Sequence, residues 1–209
     1  MIWWKEWREN QGKSLRWLLF ILAIGLWGLM IYSRAPMPEE FSPQFQIFIG
    51  VLFAVSLASG LISKEVHEGT LQFLLTKPIK RHRIFSVKFL TGALQLSLVM
   101  IIATLALYLV ALYQHREIAF TKTLERIATS ILIPLTYYSI TFLFSIFIDN
   151  ANRNRIAGFL LGSIFLYNVY LVFSLHPTLE RSIVFMSVIS IVFITSLLAF
   201  EDKEAIGHP

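Results

Sequence analysis

The sequence predicts an all-α integral membrane protein with six transmembrane helices, an N-terminal amphipathic helix lying in the interface, and a short cytoplasmic helix between the second and third spans. Three observations predict it. Of 209 residues, 56% are hydrophobic and 15% charged, with 18 Phe and a positive mean hydropathy, which is far from the composition of a soluble domain. The apolar residues fall in six runs, 17–32, 45–62, 89–113, 127–148, 156–173 and 182–200, and a bilayer core of about 30 Å is crossed by about 20 helical residues. Thirteen of the 18 Lys and Arg residues lie before run 1, between runs 2 and 3, between runs 4 and 5, and after run 6. By the positive-inside rule those segments, and so both termini, face the cytoplasm. The whole of 1–209 reads as one transmembrane domain.

Residues 1–16, MIWWKEWRENQGKSLR, set Trp3 and Trp7 four apart among Lys5, Glu6, Arg8 and Glu9. Indoles at headgroup depth with charges in water suit a helix lying in the interface before span 1; a plain aromatic anchor is the alternative. A cleaved signal peptide fits less well, since five further runs follow and no A-x-A site is present. Span 2 carries Ser56, Ala58, Ser59 and Gly60. Span 4 contains Pro134, which frees a backbone carbonyl and predicts a kink, with Thr136, Tyr137, Tyr138, Ser139 and Thr141 near enough to satisfy it. Span 5 contains Gly158-Phe-Leu-Leu-Gly162, a small-xxx-small face that admits a second helix closely, either within the chain or from another subunit. It also carries Tyr167, Asn168 and Tyr170 toward its outer half. Polar groups in hydrocarbon need partners or water, so Ser56, Ser59, Tyr167 and Asn168 are the candidates for a substrate path, with interhelical hydrogen bonding the alternative for Asn168.

Several chemistries are excluded. The chain has no cysteine, which rules out disulfides, thiolate metal sites and cysteine nucleophiles. The six runs contain no Asp, Glu, Lys, Arg or His, whereas proton relays, voltage sensors and intramembrane proteases keep such groups inside the bilayer. The net charge of +5 sits between apolar segments, so it orients the chain in a membrane and does not form a nucleic-acid face. Gly12-Lys13-Ser14 imitates the end of a P-loop, but Trp7 stands where the loop needs glycine and no strand precedes it. The chain is expected to bind no cofactor and no metal, and to take any energy for uphill transport from elsewhere.

The segment KEVHEGTLQFLLTKPIKRHR, 64–83, concentrates charge between spans 2 and 3. Leu71, Leu74 and Leu75 fall at helical spacing with Ile79 four beyond, predicting a short amphipathic helix entered at Gly69-Thr70 and stopped at Pro78. The basic cluster after Pro78 suits either a partner or anionic headgroups. Glu65, Gly69, Thr70, Leu71, Leu74, Leu75, Pro78, Arg81 and Lys88 resemble the loop after the second span in the ABC-2 type transporter permease family. That resemblance covers about 25 residues of motif, and the rest of the chain agrees in layout. It implies that the short helix is a coupling helix seated in a separate cytoplasmic ATPase that holds the ATP and magnesium. It further implies that Glu65 holds the loop to neighbouring helices, that Gly69 and Thr70 form the turn, that Leu71 to Lys77 contact the ATPase, and that two permease subunits, identical or not, assemble with two ATPases. The short loop 174–181 leaves little room for the external re-entrant helix of the G-subfamily.

The sequence therefore reads as a non-catalytic permease subunit of an exporter of hydrophobic or amphipathic substrates, multi-pass in a prokaryotic cell membrane. The competing reading is a membrane scaffold or assembly protein whose basic loop binds lipid or a partner. A membrane-embedded enzyme has no candidate catalytic constellation.

Overall fold

The computed structural model describes residues 2–31, 41–62, 81–113, 120–148, 150–173 and 178–206. Among them the chain is helical and without strands: α1 Ile2–Ile31, α2 Phe41–Ala58, α3 Arg81–Tyr113, α4 Phe120–Phe147, α5 Ala151–Phe173 and α6 Thr178–Ile206. Windows long and apolar enough to cross a membrane run from His82 to Ala106, Ile127 to Phe147 and Ser182 to Phe200, and Gln46–Ala58 is a shorter apolar helix. An integral, multi-pass helical protein follows from these lengths.

The first two predicted elements are joined. Residues 2–31 form one continuous helix, so no break divides the expected interfacial segment 1–16 from the span 17–32. The inward residues explain this: Glu6, Asn10 and Ser14, each four apart, are buried, while Trp4, Lys5, Arg8 and Glu9 are exposed. The helix buries a polar stripe against the bundle and leaves Trp4 outside, the reverse of a soluble amphipathic helix.

Helix α4 is the centre of the bundle and packs against α2, α3, α5 and α6, while α1 packs mainly on α3. Two features permit this. Gly158 and Gly162 of α5 lie directly against Thr141 and the Tyr137 ring of α4, where an added Cβ would collide. The small-xxx-small face therefore serves an internal partner. Aromatic rings knit α3, α4 and α6: Phe89 lies 4.7 Å from Phe193 and 5.2 Å from Phe142, and Phe85 lies 5.1 Å from Phe142 and 5.3 Å from Phe200, centroid to centroid. Tilted and edge-on arrangements at these distances add to simple burial.

Many polar side chains in the interior pair locally or across helices, as a low-dielectric surrounding favours. Tyr138 donates to the Phe89 carbonyl of α3 at 3.0 Å, and the Tyr137 hydroxyl is 3.0 Å from that of Ser163 on α5. Toward the other end, the Gln46 amide of α2 donates to Thr104 of α3 at 2.6 Å, and Thr104 is 3.2 Å from Ser130 of α4. Pro134 sits within α4, but among the described residues the nearby hydroxyls that bond do so elsewhere and not to the carbonyl it frees, that of Ser130. Thr136 donates to Leu132 and Ser139 to Leu135, the tyrosines reach α3 and α5, and Thr141 Oγ1 has no partner among the described residues.

Filling the α4–α5 contact is expected to overpack it. Gly162→Val should cost about 1–3 kcal/mol, read as a lower unfolding midpoint of the detergent-purified protein. Leu161→Val, at an exposed position one residue away, should leave the midpoint near that of the parent.

Candidate functional site

The expected coupling residues Glu65, Gly69, Thr70, Leu71, Leu74, Leu75, Lys77 and Pro78 lie outside the described residues, and Arg81 is the first residue of α3. What the structure defines is the pair of stems from which that loop springs. Helix α2 ends at Ala58 and leaves through a turn in which Leu61 N–H donates to the Ala58 carbonyl at 3.3 Å. Leu61 and Ile62 are buried, so the chain stays seated in the bundle as it departs.

Arg155 of α5 reaches this turn, and its Nε donates to Ser59 Oγ at 2.9 Å. Its position is set locally. The Asn150 side chain accepts from the backbone N–H groups of Asn152 at 2.9 Å and Arg153 at 3.3 Å, an N-cap that starts α5 and places Arg155 on its first turns. Lys13 of α1 approaches the same turn, its Nζ 3.7 Å from where a side chain on Gly60 would begin. Two cations thus stand at the carbonyl end of α2, where the helix dipole favours positive charge. Beside Arg155, Asn154 is wholly buried, and neither of its side-chain polar atoms has a partner among the described residues.

On the other stem, Ile84, Phe85, Lys88 and Phe89 turn inward while His82 and Arg83 are exposed. Lys88 Nζ donates to Glu6 Oε1 of α1 at 2.7 Å, with the two side chains 2% and 4% exposed. One face further along α3, the Gln95 amide donates to the Trp7 carbonyl at 3.1 Å, and Thr91 between them is buried. Lys88, placed by the sequence at the mouth of span 3, therefore lies inside the bundle and within the apolar window of α3. An ion pair this dry is tolerated because each charge cancels the other where water cannot reach. By contrast, Lys5 and Glu9, 3.6 Å apart on the exposed side of α1, are screened by solvent and contribute little.

The stems also define one end of the molecule. Contacts between Glu6 and Lys88, Lys13 and Gly60, and Ser59 and Arg155 gather the start of α1, the end of α2 and the starts of α3 and α5. The Phe85 ring contacts bring in the ends of α4 and α6. The helices therefore alternate in direction, and the loop 63–80 leaves from the end that carries most of the basic residues.

The four candidate path residues do not meet at one point. Ser56 and Ser59 lie at the loop end of α2, the first half-buried and the second fully so. Tyr167 and Asn168 lie 12 and 13 residues beyond Arg155 on α5, about 20 Å along its axis at 1.5 Å per residue. Both are exposed on the single chain, and among the described residues Asn168 donates to the Ile164 carbonyl of its own helix at 2.7 Å and not to another helix. Gly12-Lys13-Ser14 lies within the unbroken α1, where no phosphate-cradling loop exists. Sequence reasoning missed the interior role of Glu6, Lys88, Gln95 and Gln46. The signal available was the four-residue spacing of Glu6, Asn10 and Ser14, a polar stripe on the side of the helix away from Trp4.

A sequence model of the family described as ABC-2 family transporter protein matches residues 22–191, most of the chain. The protein belongs to the ABC-2 transporter family. That membership accords with the multi-pass helical fold, and both stems of the loop, Lys88 included, fall inside the match. Glu6, which neutralises Lys88, lies in the N-terminal stretch before it. No curated protein matches the chain. Membership makes the chain a membrane component of an ABC transporter, a family whose membrane subunits are typically non-catalytic and work with an ABC ATPase.

Removing either half of the buried pair takes from the other the opposite charge that lies 2.7 Å from it. Glu6→Ala or Lys88→Ala alone should each destabilise the protein by about 3–5 kcal/mol, measured as a fall in folded yield and in unfolding midpoint after mild-detergent extraction. Lys5→Ala, on the exposed pair, should change neither.

Proposed function

We propose that this ABC-2 protein is the permease subunit of an ATP-driven exporter, with six spans, both termini and the loop 63–88 in the cytoplasm of a prokaryotic cell. The loop forms a coupling helix that docks on a separate ATPase, where ATP and magnesium bind. Glu65 holds the loop to its neighbours, Gly69 and Thr70 make its turn, Leu71, Leu74, Leu75 and Lys77 meet the partner, and Pro78 and Arg81 lead into α3. A second permease subunit, identical or related, completes the pathway.

The observation that carries this reading is the family match across 22–191, which takes in the entire loop and both of its stems. The anchoring of those stems supports it. A loop that transmits force must be held firmly at its roots, and here Ser59 is bound by Arg155 and Lys88 by Glu6. The runs free of charge support a hydrophobic or amphipathic cargo, since a permanently charged one would lack counter-ions along them. Ser56 and Ser59 at the inner end and Tyr167 and Asn168 toward the outer end are proposed as polar points along its route.

Purification from native membranes in mild detergent tests the partner: an ATPase subunit is expected to co-purify. Gly69→Val and Glu65→Ala should leave the chain inserted while abolishing transport driven by that ATPase, with hydrolysis continuing. Recovery of the chain with no ATPase, from several mild detergents, would favour the scaffold reading instead. Unimpaired transport in both variants would sink the assignment of the loop.

A further inference from the structure

The Glu6–Lys88 pair is an expensive way to join two helices. Well-packed apolar residues of similar volume commonly hold such a contact as well or better, because no ion then has to leave water. What a buried ion pair adds is intolerance of displacement. If α1 slid by one turn on α3, about 5.4 Å, the buried Glu6 carboxylate would be carried away from the ammonium that neutralises it. An apolar contact would re-form in the new register with little loss.

The place of the pair makes that intolerance useful. Lys88 lies seven residues beyond Arg81, in the second turn of the helix that receives the loop 63–80. Helix α1 touches α3 again through the Trp7 carbonyl and Gln95, 3.1 Å apart. It also reaches the opposite stem, with Lys13 Nζ 3.7 Å from the side-chain position of Gly60. The cytoplasmic half of α1 thus spans both roots of the loop, and its one buried contact between full charges, among the described residues, is to the root that opens α3.

We propose that Glu6 and Lys88 are positioning residues that lock the register of α1 on α3, so that the N-terminal helix moves as one body with α3 when force arrives through the loop 63–80. The proposal rests on the coupling role given to that loop. Force applied at the start of α3 is then delivered to α1 at the same time, and α1 is a second output of the loop. Glu6 precedes the residues that match the family, and Lys88 lies within them.

The chain has no cysteine, so register can be read by cross-linking in the full-length protein without first removing native thiols. Trp7→Cys with Gln95→Cys, treated in native membranes with a short bifunctional maleimide, should cross-link strongly, and Trp7→Cys with Val99→Cys, one turn further along α3, should not. In the apolar background Glu6→Met with Lys88→Met, which is expected to fold, the first cross-link should be lost or shared with the second. The exchanged pair, Glu6→Lys with Lys88→Glu, should restore the native pattern. An apolar background that cross-links as the parent does would overturn the lock.

Trapping the ATPase with vanadate and nucleotide supplies the second readout. The Trp7→Cys/Gln95→Cys yield should be unchanged by trapping in the native background and altered in the apolar one. A change in the native background would show α1 and α3 moving apart, and would overturn the proposal. The loop reading is judged separately, by whether Gly69→Val uncouples, and its failure would leave the register result standing.

Discussion

Close approach to α4 is the constraint on which the rest of the bundle depends. Lipid tails are as apolar as leucine, so helices in a membrane gain little by burying leucine against leucine, and association rests on van der Waals fit and on hydrogen bonds that water does not contest. Gly158 and Gly162 let α5 press onto Thr141 and Tyr137. The same proximity brings the Tyr137 hydroxyl to Ser163 at 3.0 Å. On the α3 side, Tyr138 reaches the Phe89 carbonyl. Larger residues at the two glycines would separate α4 from α5 and break the Tyr137–Ser163 bond.

With α4 at the centre, the interior divides into two kinds of contact. Between α3, α4 and α6 it is aromatic, built from Phe85, Phe89, Phe142, Phe193 and Phe200. Between α1 and α3 it is polar, built from Glu6, Lys88, Gln95 and the Trp7 carbonyl. An aromatic contact tolerates small sliding, since rings re-stack at similar cost, whereas a buried ion pair does not. The molecule therefore grips α1 at the loop end by an interaction that is directional and sensitive to register. The helix–helix contacts at its centre depend instead on shape.

The loop end is where the proposed function and the stability of the fold meet. Arg155 and Lys13 stand over the last turn of α2, and Glu6 holds the second turn of α3. Each anchoring residue comes from a helix other than the one it anchors, so the loop's two roots are tied to α1 and α5 as well as to each other's neighbourhood. Such cross-bracing ties the roots of one loop to several helices at once, which is what the proposed coupling role requires.

Composition and periodicity were enough to establish the helical membrane class, the approximate helix positions and the packing face at Gly158 and Gly162, because hydrophobic length and small-residue spacing are local properties that lipid imposes directly. The motif around Glu65, Gly69 and Pro78 was enough to suggest the family. Whether the small-residue face served α4 or a second subunit was not legible, since a face does not name its partner. The fate of Lys88 was hidden as well: as a charge at the edge of an apolar run it could equally point to water, and only the folding of α1 back onto α3 brings Glu6, 82 residues away in sequence, to within 2.7 Å. Local sequence decides which segments enter the membrane; the tertiary structure alone decides which polar groups find one another there, because pairing of buried charges depends on distances that the chain sets only when it packs.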